Sequence, residues 1–129
     1  MRVNGPRTSG GSATTRCCAK IELTSATPLT LPGYAPYSAS KAAVEVFTAI
    51  LTKELRGRNV SVNTVAPGPV ATELFLDGKT PEQIERLAKL NPFERLGQPE
   101  DIASVVAFLA GPDGAWVNGQ TLRANGGMV

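Results

Sequence analysis

The sequence predicts an α/β fold on a parallel sheet, and three features lead there. Strand-like and helical stretches follow one another as strand, loop, helix, strand, helix, strand over residues 20–124. The longest helical stretch, residues 37–56, is apolar on more than one stripe, as a helix is when a sheet covers one face and a second body another. Proline and glycine punctuate the junctions, at Pro28, Pro32, Gly33 and Pro36, at Pro67-Gly68-Pro69, and at Gly111-Pro112.

Each element has its own signal. Lys20-Ile21-Glu22-Leu23-Thr24-Ser25 alternates briefly and predicts a short strand. The helix over 37–56 carries Ala42, Ala43, Val44, Val46, Phe47, Ile50, Leu51 and Leu55, and Gly57 stops it. Val60-Ser61-Val62-Asn63-Thr64-Val65-Ala66 reads as a strand. Thr80-Pro81-Glu82-Gln83 is a helix start, with Thr as N-cap, Pro at N1 and Gln at N3. A further helix opens at Pro99-Glu100-Asp101 with acids in its first turn, and it should bury Ile102, Val105, Val106 and Leu109. Asn118-Gly119 turns the chain into a last strand, Gln120 to Ala124.

Residues 1–20 follow no period and read as a disordered or unrelated tail, leaving one domain over 21–129. The tail holds Arg2, Arg7, Arg16 and Lys20 and no acid, so it supplies the basic balance of a chain whose net charge is only +2. An acid-free, Arg- and Ser-containing start is compatible with organelle targeting, but no amphipathic stripe accompanies it, and a cytoplasmic location is the expectation. With 5% aromatic residues and no basic stripe beyond the tail, nothing points to nucleic acid. No apolar run approaches the ~20 residues of a membrane helix.

Histidine is absent, which excludes Ser-His-Asp and Cys-His catalysis and any histidine-bound metal. The two cysteines, Cys17 and Cys18, are adjacent, which suits neither a zinc site nor a disulfide framework. They read as reduced thiols in a flexible segment. Proton chemistry would therefore fall to tyrosine, lysine or carboxylates. Tyr37 and Lys41 stand four residues apart at the start of the long helix, on one face. An ammonium beside a phenol favours the phenolate, and such a tyrosine can act as a general acid/base. Taken alone the spacing is also that of a packed tyrosine beside a surface pair between Lys41 and Glu45.

The neighbouring motifs decide between these readings. Pro32-Gly33-Tyr34 leads into Tyr37-x-x-x-Lys41. Val62-Asn63-Thr64-Val65-Ala66-Pro67-Gly68-Pro69-Val70-Ala71-Thr72 follows, then Arg95-Leu96-Gly97-Gln98-Pro99-Glu100-Asp101, Val117-Asn118-Gly119-Gln120 and Asn125-Gly126-Gly127. In this order the set resembles the C-terminal half of a short-chain dehydrogenase/reductase, from about Ile21 to Val129. The resemblance implies a partial Rossmann-like, doubly wound parallel sheet and an NAD- or NADP-dependent oxidoreductase acting on a carbonyl or alcohol by hydride transfer. It implies that Tyr37 exchanges a proton with the substrate oxygen, and that Lys41 stabilises the phenolate and bonds the nicotinamide ribose. The substrate-holding hydroxyl of the family falls on Thr24, with Ser25 beside it. Pro67, Gly68, the Val70 backbone and the Thr72 hydroxyl would hold the nicotinamide. Homo-oligomerisation through the 37–56 helix is likewise implied.

The departures matter equally. The family's Gly-x-x-x-Gly-x-Gly turn, which receives the pyrophosphate at a helix N-terminus, is absent: Gly5, Gly10 and Gly11 do not fit it. So is its Asn-Ala-Gly segment. This chain alone is expected to bind NAD or NADP weakly or not at all, with a truncated, non-catalytic interaction module as the alternative reading.

Overall fold

A computed structural model describes the backbone of residues 17–22 and all of residues 32–129. Among the described residues three strands, β1 (Cys17–Glu22), β2 (Val60–Pro67) and β3 (Thr121–Ala124), form a parallel sheet in the order β1-β2-β3. Four helices among the same residues accompany them: α1 (Ala35–Glu54), α2 (Glu73–Leu76), α3 (Pro81–Ala88) and α4 (Pro99–Ala110). Register is set by Thr64, which lies opposite Ile21 on one side and Thr121 on the other. Among the described residues no helix is long and apolar enough to cross a membrane.

β2 is the middle strand, and six of its residues in a row, Ser61 to Ala66, are buried. Alternation along the strand assigns its two faces. Thr64 meets α1 through a hydrogen bond between its hydroxyl and that of Thr48, 2.8 Å apart and buried. Val65 points the other way, into a cluster with Ile102 and Leu109 of α4, flanked by Val105, Val106, Leu122 and Ala124. The sheet is thus covered by α1 on one face and α4 on the other, the doubly wound layering expected from the sequence.

Several expected boundaries shift. The first strand lies three residues upstream of residues 20–25, so Cys17 to Lys20 belong to β1 rather than to a flexible tail. The physical reason is pairing: Cys17 to Glu22 lie opposite Val60 to Val65, and local alternation does not encode a partner strand. Helix α1 begins at Ala35, because Pro36 in the first turn gives up only an N–H that would have had no helical partner. Its outer side is less covered than the sequence suggests: Thr48 is its one buried residue, and Val46, Phe47 and Ile50 are half exposed or more. The start of α3 matches expectation fully. Thr80 Oγ1 accepts from the Gln83 N–H (3.4 Å) while Gln83 Oε1 accepts from the Thr80 N–H (2.9 Å).

Asn63 explains how β3 finds β2. Buried in mid-strand, its amide donates to the Val117 carbonyl (2.9 Å) and its oxygen accepts from the Gln120 N–H (3.0 Å). Asn118 answers from the turn, its Oδ1 accepting the Val62 N–H at 2.8 Å. Replacing Asn63 by Ala takes the partner from one part-buried donor and one part-buried acceptor, so the expected loss is about 1–3 kcal/mol. Urea unfolding checks this, and a change below about 0.5 kcal/mol would remove Asn63 from the account.

Candidate active site at the carboxyl edge of the sheet

In a parallel crossover the helix runs back against the strands, so the N-terminus of α1 lies at their carboxyl edge. Tyr37 sits there in the first turn of α1, partly exposed, and Lys41 follows one turn later. The Lys41 ammonium lies 5.3 Å from the centroid of the Tyr37 ring, inside cation–π range. The Tyr34 ring meets that of Tyr37 edge-on, 6.2 Å between centroids and 87° between planes. Ser40 Oγ donates to the Tyr37 carbonyl at 2.7 Å. Thr24 and Ser25 lie outside the described residues.

The second part of the site follows β2 directly. The Gly68 N–H donates to the Ala124 carbonyl (3.1 Å), and a Cβ at Gly68 would stand 3.0 Å from both Cα and Cβ of Asn125. Only glycine fits without moving that backbone. Val70 and Gly97 form an isolated parallel bridge, in which the Ala71 N–H donates to the Gly97 carbonyl (2.8 Å) and the Gly97 N–H to that of Pro69 (2.9 Å). The bridge leaves the Val70 N–H without a partner among the described residues. Thr72 caps α2: its Oγ1 accepts the Phe75 N–H at 3.2 Å, which leaves the hydroxyl proton to be donated elsewhere. In α2 itself, Leu74 is 89% exposed.

Behind this segment, at the ends of β2 and β3, lies a cleft of about 360 Å³ lined by Gly68, Pro69, Asn91, Arg95, Asp101 and Asn125 among others. Tyr37 and Lys41 do not line it. The side chains of Asn91, Arg95 and Asp101 in it are committed to structure. Buried Asn91 donates to the Ala88 (3.1 Å) and Arg95 (2.8 Å) carbonyls and accepts the Phe93 N–H (3.0 Å). Arg95 grips Asp101 with both terminal nitrogens, at 2.7 and 3.2 Å, and Asp101 also takes the Gln98 N–H at the start of α4 (2.7 Å). No set of three or more His, Cys, Asp or Glu side chains among the described residues could hold a metal ion.

The sequence motif around Arg95 to Asp101 gave no sign of this pairing, because residues six apart on a loop and a helix start share no periodicity. The Arg95 guanidinium first, then the Gln98 N–H, hold the Asp101 carboxyl down at about 2. A carboxyl with a depressed folded-state pKa stabilises the fold above its ordinary value near 4 and loses that contribution as pH falls toward 2. The wild-type chain should therefore lose stability between about pH 4 and pH 2 more steeply than Asp101→Asn. Urea midpoints across that range check it; parallel curves would show that the pair is too exposed to count.

Comparison with known proteins bears on this arrangement. The family model described as enoyl-(acyl carrier protein) reductase matches residues 13–129. A protein of Arabidopsis thaliana named NADPH-dependent aldehyde reductase-like protein, chloroplastic, is 55% identical over 98 residues, 76% of this chain and 36% of its own length. A short-chain type dehydrogenase/reductase of Picea abies is 57% identical over 99 residues, again 36% of its length. The chain thus spans little more than a third of these relatives. Among solved structures, the angucycline C-6 ketoreductase LanV with bound NADP is 34% identical with a TM-score of 0.77, over 86% of this chain and 43% of that one. A short-chain dehydrogenase/reductase from Brucella melitensis gives 31% and 0.78, over 87% and 45%. The chain belongs to the short-chain dehydrogenase/reductase family of oxidoreductases, and its described residues form part of that family's Rossmann-type fold.

Proposed function

We propose that this chain carries the proton-transfer half of an NAD(P)-dependent carbonyl reductase or alcohol dehydrogenase. The observation that carries the reading is the Tyr37–Lys41 pair at the carboxyl edge of the sheet, with the ammonium 5.3 Å from the ring. In the reductive direction the Tyr37 hydroxyl gives its proton to the carbonyl oxygen of the substrate. In the oxidative direction the phenolate takes it back. Lys41 would hold the ribose hydroxyls of the cofactor. Thr24 or Ser25 holds the substrate oxygen.

The nicotinamide, when bound, supplies or accepts the hydride. Pro67, Gly68, Val70 and Thr72 suit it: Gly68 lets the segment pack closely on Asn125, and the segment offers a free N–H at Val70 and a donatable hydroxyl proton at Thr72. The names of the Arabidopsis relative and of the NADP-bound ketoreductase favour NADP over NAD. The first of these is also described as chloroplastic, which favours the organelle alternative over the cytoplasm.

Nothing in these residues receives the pyrophosphate or adenine. By itself the chain should bind NADPH several orders of magnitude more weakly than a complete site, since charge-assisted bonds of ~1.5–3 kcal/mol each are lost. Calorimetry is the suitable readout, because Trp116 is 99% exposed beside Gly57, Asn59 and Val60 at the opposite edge of the sheet. A chimera that places the residues from β1 onward behind the preceding strands of the Arabidopsis relative should bind NADPH and reduce an aldehyde. There, Tyr37→Phe should lower turnover at least ~100-fold. Micromolar binding by the chain alone would refute the half-site reading, and near-normal turnover of Tyr37→Phe would refute the proton-donor role.

A second reading, association without catalysis, is favoured by the bare outer face of α1. Val46, Phe47 and Ile50 recur at helical spacing and are 60%, 53% and 50% exposed. We infer that a second copy of the chain covers this face. Sedimentation should show a concentration-dependent dimer or larger species that Phe47→Asp with Ile50→Glu reduces to monomer. A wild-type monomer at all concentrations would dismiss it.

A further inference from the structure

We propose that Thr48 and Thr64 are positioning residues for the Tyr37–Lys41 pair: their buried hydroxyl–hydroxyl bond fixes the rotation of α1 about its own axis against β2. The proposal rests on the proton-transfer role given above to Tyr37, and it adds two residues far from the reacting atoms.

At 100° per residue, Tyr37, Lys41, Thr48 and Thr52 fall within about 60° of one another on α1, on a single stripe. That stripe is where the helix is tied to the sheet. Thr48 and Thr64 are both fully buried, with oxygens 2.8 Å apart. One turn further on, Thr52 Oγ1 lies 2.9 Å from the Thr48 carbonyl and 3.3 Å from the Val62 carbonyl, so the helix is pinned to β2 at two successive turns. Thr48 is also the one buried residue of α1, and the helix has no side-chain hydrogen bond capping its N-terminus. A helix laid on a strand by apolar contact alone is free to roll, because hydrophobic attraction has no direction. A short hydroxyl–hydroxyl bond does not allow this.

The lever is steep. Thr48 lies about three turns, or ~16 Å, from Tyr37 along the axis. With side chains reaching ~5–6 Å from that axis, a roll of about 10° moves the tip of the tyrosine by ~1 Å. A displacement of that size can cost ~100-fold in rate. The pair therefore matters for where the phenol stands more than for whether the chain folds: replacing both hydroxyls by methyls leaves no buried polar group unpaired.

The test uses the full chain labelled with 3-fluorotyrosine in a Tyr34→Phe background, so that position 37 gives the only fluorine signal. Thr48→Val with Thr64→Val should keep the melting temperature within about 5 °C. It should nevertheless shift or split the fluorine resonance of residue 37, while Thr48→Ser with Thr64→Ser leaves it in place. In the chimera, without the fluorine label, the same Val pair should lower kcat ~10–100-fold with KM unchanged, and the Ser pair should restore it. An unmoved resonance, or a moved one with normal kcat, overturns the proposal. If the Val pair fails to fold, Thr52→Val carries the same expectation at residue 37, and an unmoved resonance overturns it there. Failure of the proton-transfer reading is seen separately, as a fully active Tyr37→Phe, because the fluorine signal does not depend on turnover.

Discussion

Burying a polar group is tolerated only when a partner is supplied, and β2 turns that constraint into architecture. Three of its six consecutively buried residues are polar: Ser61, Asn63 and Thr64. Asn63 binds the Val117 to Gln120 turn, and Thr64 binds α1. An all-apolar strand would hold the same neighbours through area alone, without fixing where along the strand they sit. Here β3 enters the sheet at one register because one amide satisfies a carbonyl and an N–H together. The carboxyl edge, where Tyr37 and Gly68 stand, inherits its geometry from those bonds.

Much of this was legible in the residues. The Thr80-Pro81-Glu82-Gln83 start, the acidic opening of α4 and the apolar positions Ile102 and Leu109 are local signals, and the structure reproduces them. What could not be read is non-local. The partner of Asn63 lies more than fifty positions away. In a strand this residue type is merely disfavoured by propensity, which hints at a special role without naming it. The bidentate grip of Arg95 on Asp101 and the Val70–Gly97 bridge are likewise products of a loop folding back. The start of β1 belongs with these: it is fixed by the pairing of Cys17 to Glu22 with Val60 to Val65, which local alternation does not encode.

The candidate site itself divides along the same line. Tyr37 and Lys41 were recognisable because a helix converts a spacing of four into a shared face. Gly68 was recognisable as a glycine but not for its cause, which is the backbone of Asn125 arriving from the far end of the chain. The free N–H of Val70 is invisible in sequence, since every residue but proline has one. It acquires meaning only because its neighbours' groups are consumed by the bridge to Gly97.

That bridge has a consequence for how such a chain can change over time. By joining Val70 to Gly97 it closes the stretch carrying α2 and α3 into a loop with a fixed base, while β2 and β3 stay paired below it. Lengthening a loop costs little once its ends are held, rising only with the logarithm of its length. Exposed positions between the two ends, such as Leu74, can therefore be exchanged without disturbing the sheet or the helix that bears Tyr37, whereas Asn91 and Leu96 are buried and held in place. Such variation falls on a part of the surface beside the candidate site, and the sheet is insulated from it.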